Sequence, residues 1–405
     1  MIKSELMQKK KMICIAFPKW EGNYLKSTVQ MMKCLAKEYD VLYVDYTFSW
    51  ADIIYSILGK KYIPVKHILG WKNRVSKIQL DDNCSIDVLR LPPIIPCNWI
   101  RNDRIYQFIS SFNARYLLFF LQKVIQKLHF SDSIVVNAFQ PWLGYFWNGK
   151  LDESKVIYYC YDEISAAPWI KKHGSKMENE FMKLADYTIV TSDHLLRTKS
   201  KISPNISVVK NGVDTSVFSV EYDDKLLLDD NLTGFTHTIG YLGSIDERID
   251  LELLINLIST CKQYLFKFVG RVTDPKIQNR LSKFDNVEFK GPLQPSELPV
   301  QVDCMDICLI PFKINKLTAS IYPLKINEYL LRGKPVVSTP FADLSDFQSM
   351  ISIAKDGPSF SKCIEQLLTQ GSSLNDIQKR KDFARSNSWK SRAHEFSEII
   401  EKLAS

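Results

Sequence analysis

Glycine and histidine are scarce in this 405-residue chain, with 15 of the first and 6 of the second, and the glycines present form none of the common phosphate loops. There is no GxGxxG, which excludes the nicotinamide fingerprint, and no GxxxxGK[ST], which excludes a P-loop nucleotidase. A GxSxG nucleophile elbow is absent as well. His67, His129, His173, His194, His237 and His394 show no metal spacing, so no metal site is expected. The nine cysteines are odd in number, scattered and without a CxxC pair, which argues against a disulfide frame or a structural zinc and reads as reduced core thiols. Also missing is any apolar run near the ~18–20 residues of a membrane span. The amino-terminal block Met12 to Phe17 is too short for a signal peptide, so the expected location is the cytoplasm.

What is present is an ordinary globular balance, 45% hydrophobic and 24% charged residues, enough apolar surface for two or three domains with real cores. The charge is uneven. Residues 1–150 hold 21 Lys and Arg against 11 Asp and Glu, whereas the remaining 255 hold 32 against 34. A basic lobe points to an anionic partner: a phosphorylated substrate, an acidic membrane surface, or nucleic acid. No RNA-binding aromatic signature or zinc knuckle accompanies it, so nucleic acid is not expected. Within that lobe Arg104 to Phe130 places Phe108, Phe112, Tyr116, Phe119, Phe120, Val124 and Leu128 at helical spacing. Such a helix packs on a core or lies on the inner face of a membrane, with Trp71 and Arg74 nearby supporting the second.

Short β-branched runs separated by helical stretches recur along the chain, the pattern of parallel sheets covered by helices. The first set is Met12–Phe17, Val41–Val44, Ile134–Val136, Val156–Tyr161, Thr188–Thr191 and Ser207–Val209. An acidic stretch poor in structure signals then precedes Thr238–Leu242, Phe266–Val269, Val287–Phe289, Ile307–Ile310 and Val336–Ser338. The fold class expected is therefore α/β with two doubly wound domains. Ligands of such sheets sit beyond the carboxyl ends of the strands. Gly22, in the turn after the first strand, could let the backbone approach one.

Three segments resemble the GT-B glycosyltransferases of family 4 (glycosyl transferases group 1), particularly those that build bacterial surface polysaccharides. They are Tyr161-Asp162-Glu163 with Leu184 to Ser192 and Asn211-Gly212-Val213-Asp214…Phe218; Gly240-Tyr241-Leu242-Gly243-Ser244 with Arg248; and Tyr322-Pro323-Leu324-Lys325-Ile326-Asn327-Glu328 with Gly333 to Val337. The resemblance runs from about Asp162 to Trp389. It implies two Rossmann-like domains facing across a cleft: an acceptor domain over 1–217, a linker over 218–236, a donor domain over 237–385, and a helix over 386–405 that packs back on the first. By the same resemblance Glu328 holds the ribose of the nucleotide, Tyr322, Pro323 and Leu324 belong to the donor motif, and Gly243 and Ser244 lie against its diphosphate. The family often has a second Glu eight positions before Glu328. Ser320 stands there instead, which leaves the mode of sugar binding open.

The chemistry agrees with those positions. A departing nucleoside diphosphate develops negative charge that needs fixed positive potential, without requiring a metal. Arg248, Arg271 and Lys325 could supply it, with backbone N–H groups near Gly243 and Ser244. The two oxygens of Glu328 can accept both hydroxyls of a ribose. Asp162, directly after the strand ending at Tyr161, reads either as a catalytic or acceptor-binding carboxylate or as a helix cap. Gln140, after another strand, lies on the acceptor side with Gly22. The expected protein is a cytoplasmic, peripherally membrane-associated, retaining and metal-independent glycosyltransferase without cofactor. It would move a sugar from a nucleotide donor to a saccharide, lipid-linked acceptor in polysaccharide assembly. A nucleotide-sugar epimerase or hydrolase of the same fold and a catalytically silent scaffold are the alternatives.

Overall fold

The computed structural model describes residues 9–22, 26–81, 84–166, 171–220 and 234–404. The chain divides into two compact units, one formed by residues 9–22, 26–209 and 393–404, the other by 210–220 and 234–392.

The first unit is built on eight strands: β1 (Lys10–Ala16), β2 (Tyr39–Val44), β3 (Val75–Asp81), β4 (Cys84–Leu89), β5 (Ser133–Ala138), β6 (Glu153–Cys160), β7 (Tyr187–Val190) and β8 (Ile206–Val208). Their order is β3-β4-β2-β1-β5-β6-β7-β8. All neighbours are parallel except the β3–β4 pair. β1 is central, with Met12 paired to Val41 on one side and Ile134 on the other. Its residues Met12 to Ala16 are all buried, as a strand covered on both faces requires. The β3–β4 hairpin was not legible as a β-branched run. β3 alternates half-buried and exposed residues, the pattern of an antiparallel edge strand with one wet face.

One long helix of this unit carries the aromatic spacing seen in the sequence. Asp103–Lys127 begins where the Asn102 side chain accepts from the Arg104 and Ile105 amides at 3.0 and 3.2 Å, a standard amino-terminal cap. Its core-facing stripe is Tyr106, Ser110, Asn113, Ala114, Leu117, Leu121 and Ile125. The aromatic stripe found from spacing splits instead: Phe108, Phe112, Tyr116 and Phe119 are exposed, while Phe120, Val124 and Leu128 pack partly against the core. The helix has two apolar faces, and periodicity alone cannot say which one meets the sheet.

The second unit carries six parallel strands, β9 (His237–Leu242), β10 (Tyr264–Val269), β11 (Val287–Gly291), β12 (Ile307–Ile310), β13 (Val336–Ser338) and β14 (Ser352–Ile353). Their order is β11-β10-β9-β12-β13-β14, a doubly wound sheet that reverses direction between β9 and β12. Of the expected linker, residues 221–233 lie outside the described residues. Phe218 is a fully buried part of the second unit's core.

The stretch Arg380 to Leu403, whose Trp389, Ala393, Phe396 and Ile400 at helical spacing read as one helix, falls in two, Leu374–Ser386 and Trp389–Ala404. At the break Val213 donates to Asn387 O at 2.9 Å and accepts from the Trp389 amide at 3.1 Å, which takes these groups out of a continuous helical ladder. Beyond Arg392 the last helix belongs to the first unit. Phe396 meets the Tyr159 ring edge-on at 5.5 Å, and Tyr39 shares a 2.9 Å hydroxyl hydrogen bond with Ser397.

Candidate functional site

In the second unit the reversal between β9 and β12 brings the strand ends at Leu242 and Ile310 to one edge. Immediately past β9, Gly243 adopts φ +141°, and Gly270 past β10 adopts φ +140°. These are left-handed values that side chains resist. The two turns touch: a Cβ on Gly270 would lie 2.1 Å from Gly243 O, and a Cβ on Gly243 would lie 2.0 Å from Lys325 Cε. Both positions therefore need glycine, one for backbone against backbone and the other for the lysine laid over it.

Lys325 and Glu328 sit one turn apart on the helix Leu324–Leu331. That helix is fixed from behind by Tyr329, whose hydroxyl accepts from Leu242 N at 2.7 Å, so the motif is tied directly to the end of β9. Lys325 Nζ stands 5.8 Å from the ring centroids of both Tyr241 and Phe312. Among the described residues neither Lys325 nor Glu328 makes a hydrogen bond or ion pair. Burial, reinforced by the Arg248 cation, lowers the Lys325 ammonium to about 8. Burial also raises the Glu328 carboxyl to about 7, with Lys325 opposing and Asp214 adding to the rise. A poised cation and a poised carboxylate on one helical face, without internal partners, have the character of a ligand site rather than of a structural ion pair.

Arg248 lies beside this pair, gripped by Asp246 through contacts of 2.8 and 2.5 Å and standing 5.3 Å from the Phe312 ring. Ser244 offers its carbonyl to the Tyr241 hydroxyl at 2.9 Å, which pins the turn after Gly243. Arg271 projects, exposed, from the loop after β10, and its carbonyl accepts from Ile245 N at 3.0 Å. Pro323 caps the helix and Leu324 opens it, half-buried. Tyr322 is buried, its hydroxyl accepting from Asn327 Nδ2 at 3.3 Å. Ser320 has no exposed surface and donates to Leu317 O at 2.8 Å.

Sequence reasoning missed Asp246, Gly270 and Asp214 as parts of this arrangement. A glycine followed by arginine directly after a β-branched strand occurs at Gly270-Arg271, much as Gly243 follows β9, and would have flagged the first turn-to-turn contact. Nothing local marks Asp246 as the partner of Arg248 except its i, i+2 spacing.

In the first unit the sheet reverses between β1 and β5. Gly22, exposed at φ +149°, sits on the loop after β1. Neighbouring residues hold that loop: Trp20 N donates to Asp45 at 2.8 Å, and the buried Arg90 reaches Glu21 at 2.6 Å. Gln140 is buried after β5, its side-chain oxygen accepting from Trp142 Nε1 at 2.8 Å. Phe139 before it holds φ +62°, in contact with Tyr161 at 4.7 Å between ring centroids.

Asp162 follows β6 and is half-buried, its Oδ1 accepting from Glu163 N at 2.9 Å. The next turn is anchored by a buried network in which Lys199 reaches Glu163 at 3.2 Å and Glu178 at 2.7 Å, while Tyr158 donates to Glu178 at 2.9 Å. The structure thus collects Gly243, Ser244, Arg248, Lys325 and Glu328 in the second unit and Gly22, Gln140 and Asp162 at strand ends of the first. Among the described residues no group of three His, Cys, Asp or Glu is placed to hold a metal ion.

Two doubly wound units, the second with a charged pair at its topological switch point, define the GT-B fold class. Within it, residues 236–370 match the family described as Glycosyl transferases group 1, so the second unit contains a group 1 glycosyl transferase domain. TuaH of Bacillus subtilis (strain 168), a proposed teichuronic acid biosynthesis glycosyltransferase, is 26% identical over 257 residues, 58% of this chain and 64% of TuaH. The match therefore spans slightly less than two thirds of that relative. Among solved structures, the sucrose-phosphate synthase of Thermosynechococcus elongatus superposes with a TM-score of 0.73 at 14% identity, covering 98% of this chain and all of that one. HepE of Anabaena, in complex with UDP and glucose, has a TM-score of 0.64 at 13% identity over 97% and 100% of the two chains. An E. coli trehalose-6-phosphate protein bound with UDP-2-fluoro glucose gives 0.64 at 11% over 96% and 99%. These likenesses carry the fold.

Proposed function

We propose that the protein is a glycosyltransferase that moves a sugar from a uridine diphosphate donor to a saccharide acceptor carried on a lipid, in the assembly of a bacterial surface polysaccharide. The observation that carries the reading is the partnerless Lys325–Glu328 pair over Gly243. Glu328 accepts the ribose hydroxyls. Lys325, with Arg248 oriented by Asp246, meets the negative charge that grows on the diphosphate as the glycosidic bond breaks. The tight turns at Gly243 and Gly270 let Lys325 lie directly over the end of β9. UDP in two structural neighbours supports uridine as the base, and the TuaH match supports polysaccharide assembly. In this reading Asp162, Gly22 and Gln140 serve the acceptor in the basic first unit, transfer retains the anomeric configuration, and the leaving group is stabilised by protein cations without a metal. Peripheral contact with an anionic membrane on the cytoplasmic side fits the exposed Trp71 and Phe119 of the basic first unit.

The test is thermal unfolding with UDP, GDP, dTDP and ADP, on the wild type and on Glu328→Ala. A ligand at a hundred times its Kd adds roughly 2.7 kcal/mol of stability. The expected outcome is a shift with UDP that Glu328→Ala loses. No shift with any nucleotide would remove the donor assignment. Turnover of the donor with no acceptor present would convert the reading to a hydrolase, and activity abolished by EDTA would overturn metal independence.

A further inference from the structure

A feature of the first unit not yet accounted for is an open cavity of about 580 Å³ lined by the helices Asp103–Lys127, Pro141–Trp147 and Lys171–Leu184. Its volume falls in the ~300–1,000 Å³ range of sites that bury a small organic ligand. The floor is apolar and fixed. Tyr106 and Met177 are each 6% exposed, and Tyr106 stacks flat on His173 at 3.7 Å between ring centroids. Phe108 and Phe112 rise beside it at 75% and 55% exposure, a large apolar surface for a folded protein to leave wet.

The charged groups around this apolar floor are mostly positive: Arg104, Arg115, Lys172 and Lys176 against Asp103 and Glu180, with Lys172 bonded to the Arg101 carbonyl. The side chains of Arg104, Arg115 and Lys176 line the cavity and make no hydrogen bond or ion pair among the described residues. The two acids of the lining are engaged: Glu180 accepts from Lys183 at 2.8 Å, and Asp103 lies 3.6 Å from His173. Partnerless cations around aromatic walls complement a ligand that is anionic at one end and hydrocarbon at the other. A free nucleotide would leave the aromatic walls unfilled, and an uncharged chain would leave the cations unanswered.

The position adds a second argument. Tyr106 also lines a smaller cavity of about 90 Å³ together with Phe17, Gln140 and Trp142, at the carboxyl ends of β1 and β5. The two cavities therefore share one aromatic wall, and the smaller contains the residue assigned above to the acceptor side.

We propose that the large cavity binds the hydrocarbon chain of a phosphate-bearing lipid, with Arg104, Arg115 and Lys176 holding its phosphate, and that this is how the lipid-linked acceptor is recognised. The proposal rests on the acceptor reading given above. It assigns the helix face carrying Phe108 and Phe112 to a single lipid molecule seated in a built site, rather than to the bilayer surface.

Calorimetric titration of the full chain with farnesyl diphosphate, a water-soluble probe, tests it beside inorganic diphosphate, farnesol and anionic phosphatidylglycerol vesicles. Farnesyl diphosphate should bind at least tenfold more tightly than either inorganic diphosphate or farnesol. Phe112→Asp and the double variant Arg104→Glu, Arg115→Glu should each weaken it at least tenfold. All three substitutions fall on exposed positions, and an unchanged thermal response to UDP will show that the variants are folded. Equal affinity for inorganic diphosphate, unchanged binding by Phe112→Asp, or binding to vesicles with none to the soluble probe would each overturn the proposal. Loss of the UDP response with probe binding intact would refute the glycosyltransferase reading alone, and the reverse would refute the lipid site alone.

Discussion

Glu328 and Lys325 carry charges whose cost the fold sets. An acid raised from 4.5 to about 7 holds its proton more tightly in the folded than in the unfolded chain. The stability this gives is complete below about 4.5 and is lost as the pH rises through 7. At pH 8 the ionised carboxylate therefore weighs against folding, and Glu328→Gln should raise stability there by about 2 kcal/mol, discounted from ~1.36 kcal/mol per unit because the side chain is half-buried. Near pH 4.5 the same variant should be close to neutral; pH-resolved thermal unfolding checks both. For donor turnover the limbs reverse. kcat/KM should climb through about 7 as Glu328 ionises and fall above about 8 as Lys325 loses its proton, as expected for groups of the free enzyme. Gly243→Ala meets both an unfavourable φ and the Lys325 chain, so a loss of about 1–3 kcal/mol is expected in denaturant unfolding, with donor binding weakened as well. These residues were legible because their motif is continuous along the chain. Ser320 was legible in the same way, as the residue at the family's second carboxylate position, while its hydrogen bond to Leu317 O became visible only in the fold.

Helices and strands were legible where one periodicity prevailed. All eleven β-branched runs became strands, because a strand covered on both faces must be apolar along its whole length. The β3–β4 hairpin and the two-residue β14 escaped notice, since edge strands keep a wet face and short ones no pattern. The helix Asp103–Lys127 defeated orientation by having two apolar stripes, only one of which can meet the sheet. Between the helices Lys171–Leu184 and Asp193–Lys199 runs the ion pair of Glu178 with Lys199, both buried. Burial pushes the Glu178 carboxyl up while Lys199 draws it down. Lys199→Met would strand that carboxylate and Glu163, and removing one partner of a buried pair costs about 3–5 kcal/mol. The expected result is a matching fall in unfolding free energy, with the Asp162 turn loosened; replacing Glu178 by Gln in addition should recover part of it.

The chain crosses between its units near residue 210 and returns near residue 392, so the two parts differ in how they can be cut. Residues 210–392 are continuous and hold the whole Gly243–Lys325–Glu328 arrangement. Expressed alone, this fragment should fold and keep the thermal response to UDP. A chain ending at Arg392 removes Phe396 and Ile400, at 0% and 1% exposure, from the core of the first unit. That truncation should lower the melting temperature of the first unit and raise its susceptibility to proteolysis while leaving UDP binding in place. Amino-acid order alone determined the two α/β units, the basic character of the first 150 residues and the local motif that carries Lys325 and Glu328, because periodicity, charge and helical spacing are properties of neighbouring residues. Tertiary structure alone decided which helix face is buried, where the last helix breaks, that Tyr329 reaches Leu242 87 residues away, and that the switch point shifts both titrations toward neutrality. Burial and electrostatic coupling depend on what distant segments bring to a site, and that becomes defined only when the chain is folded.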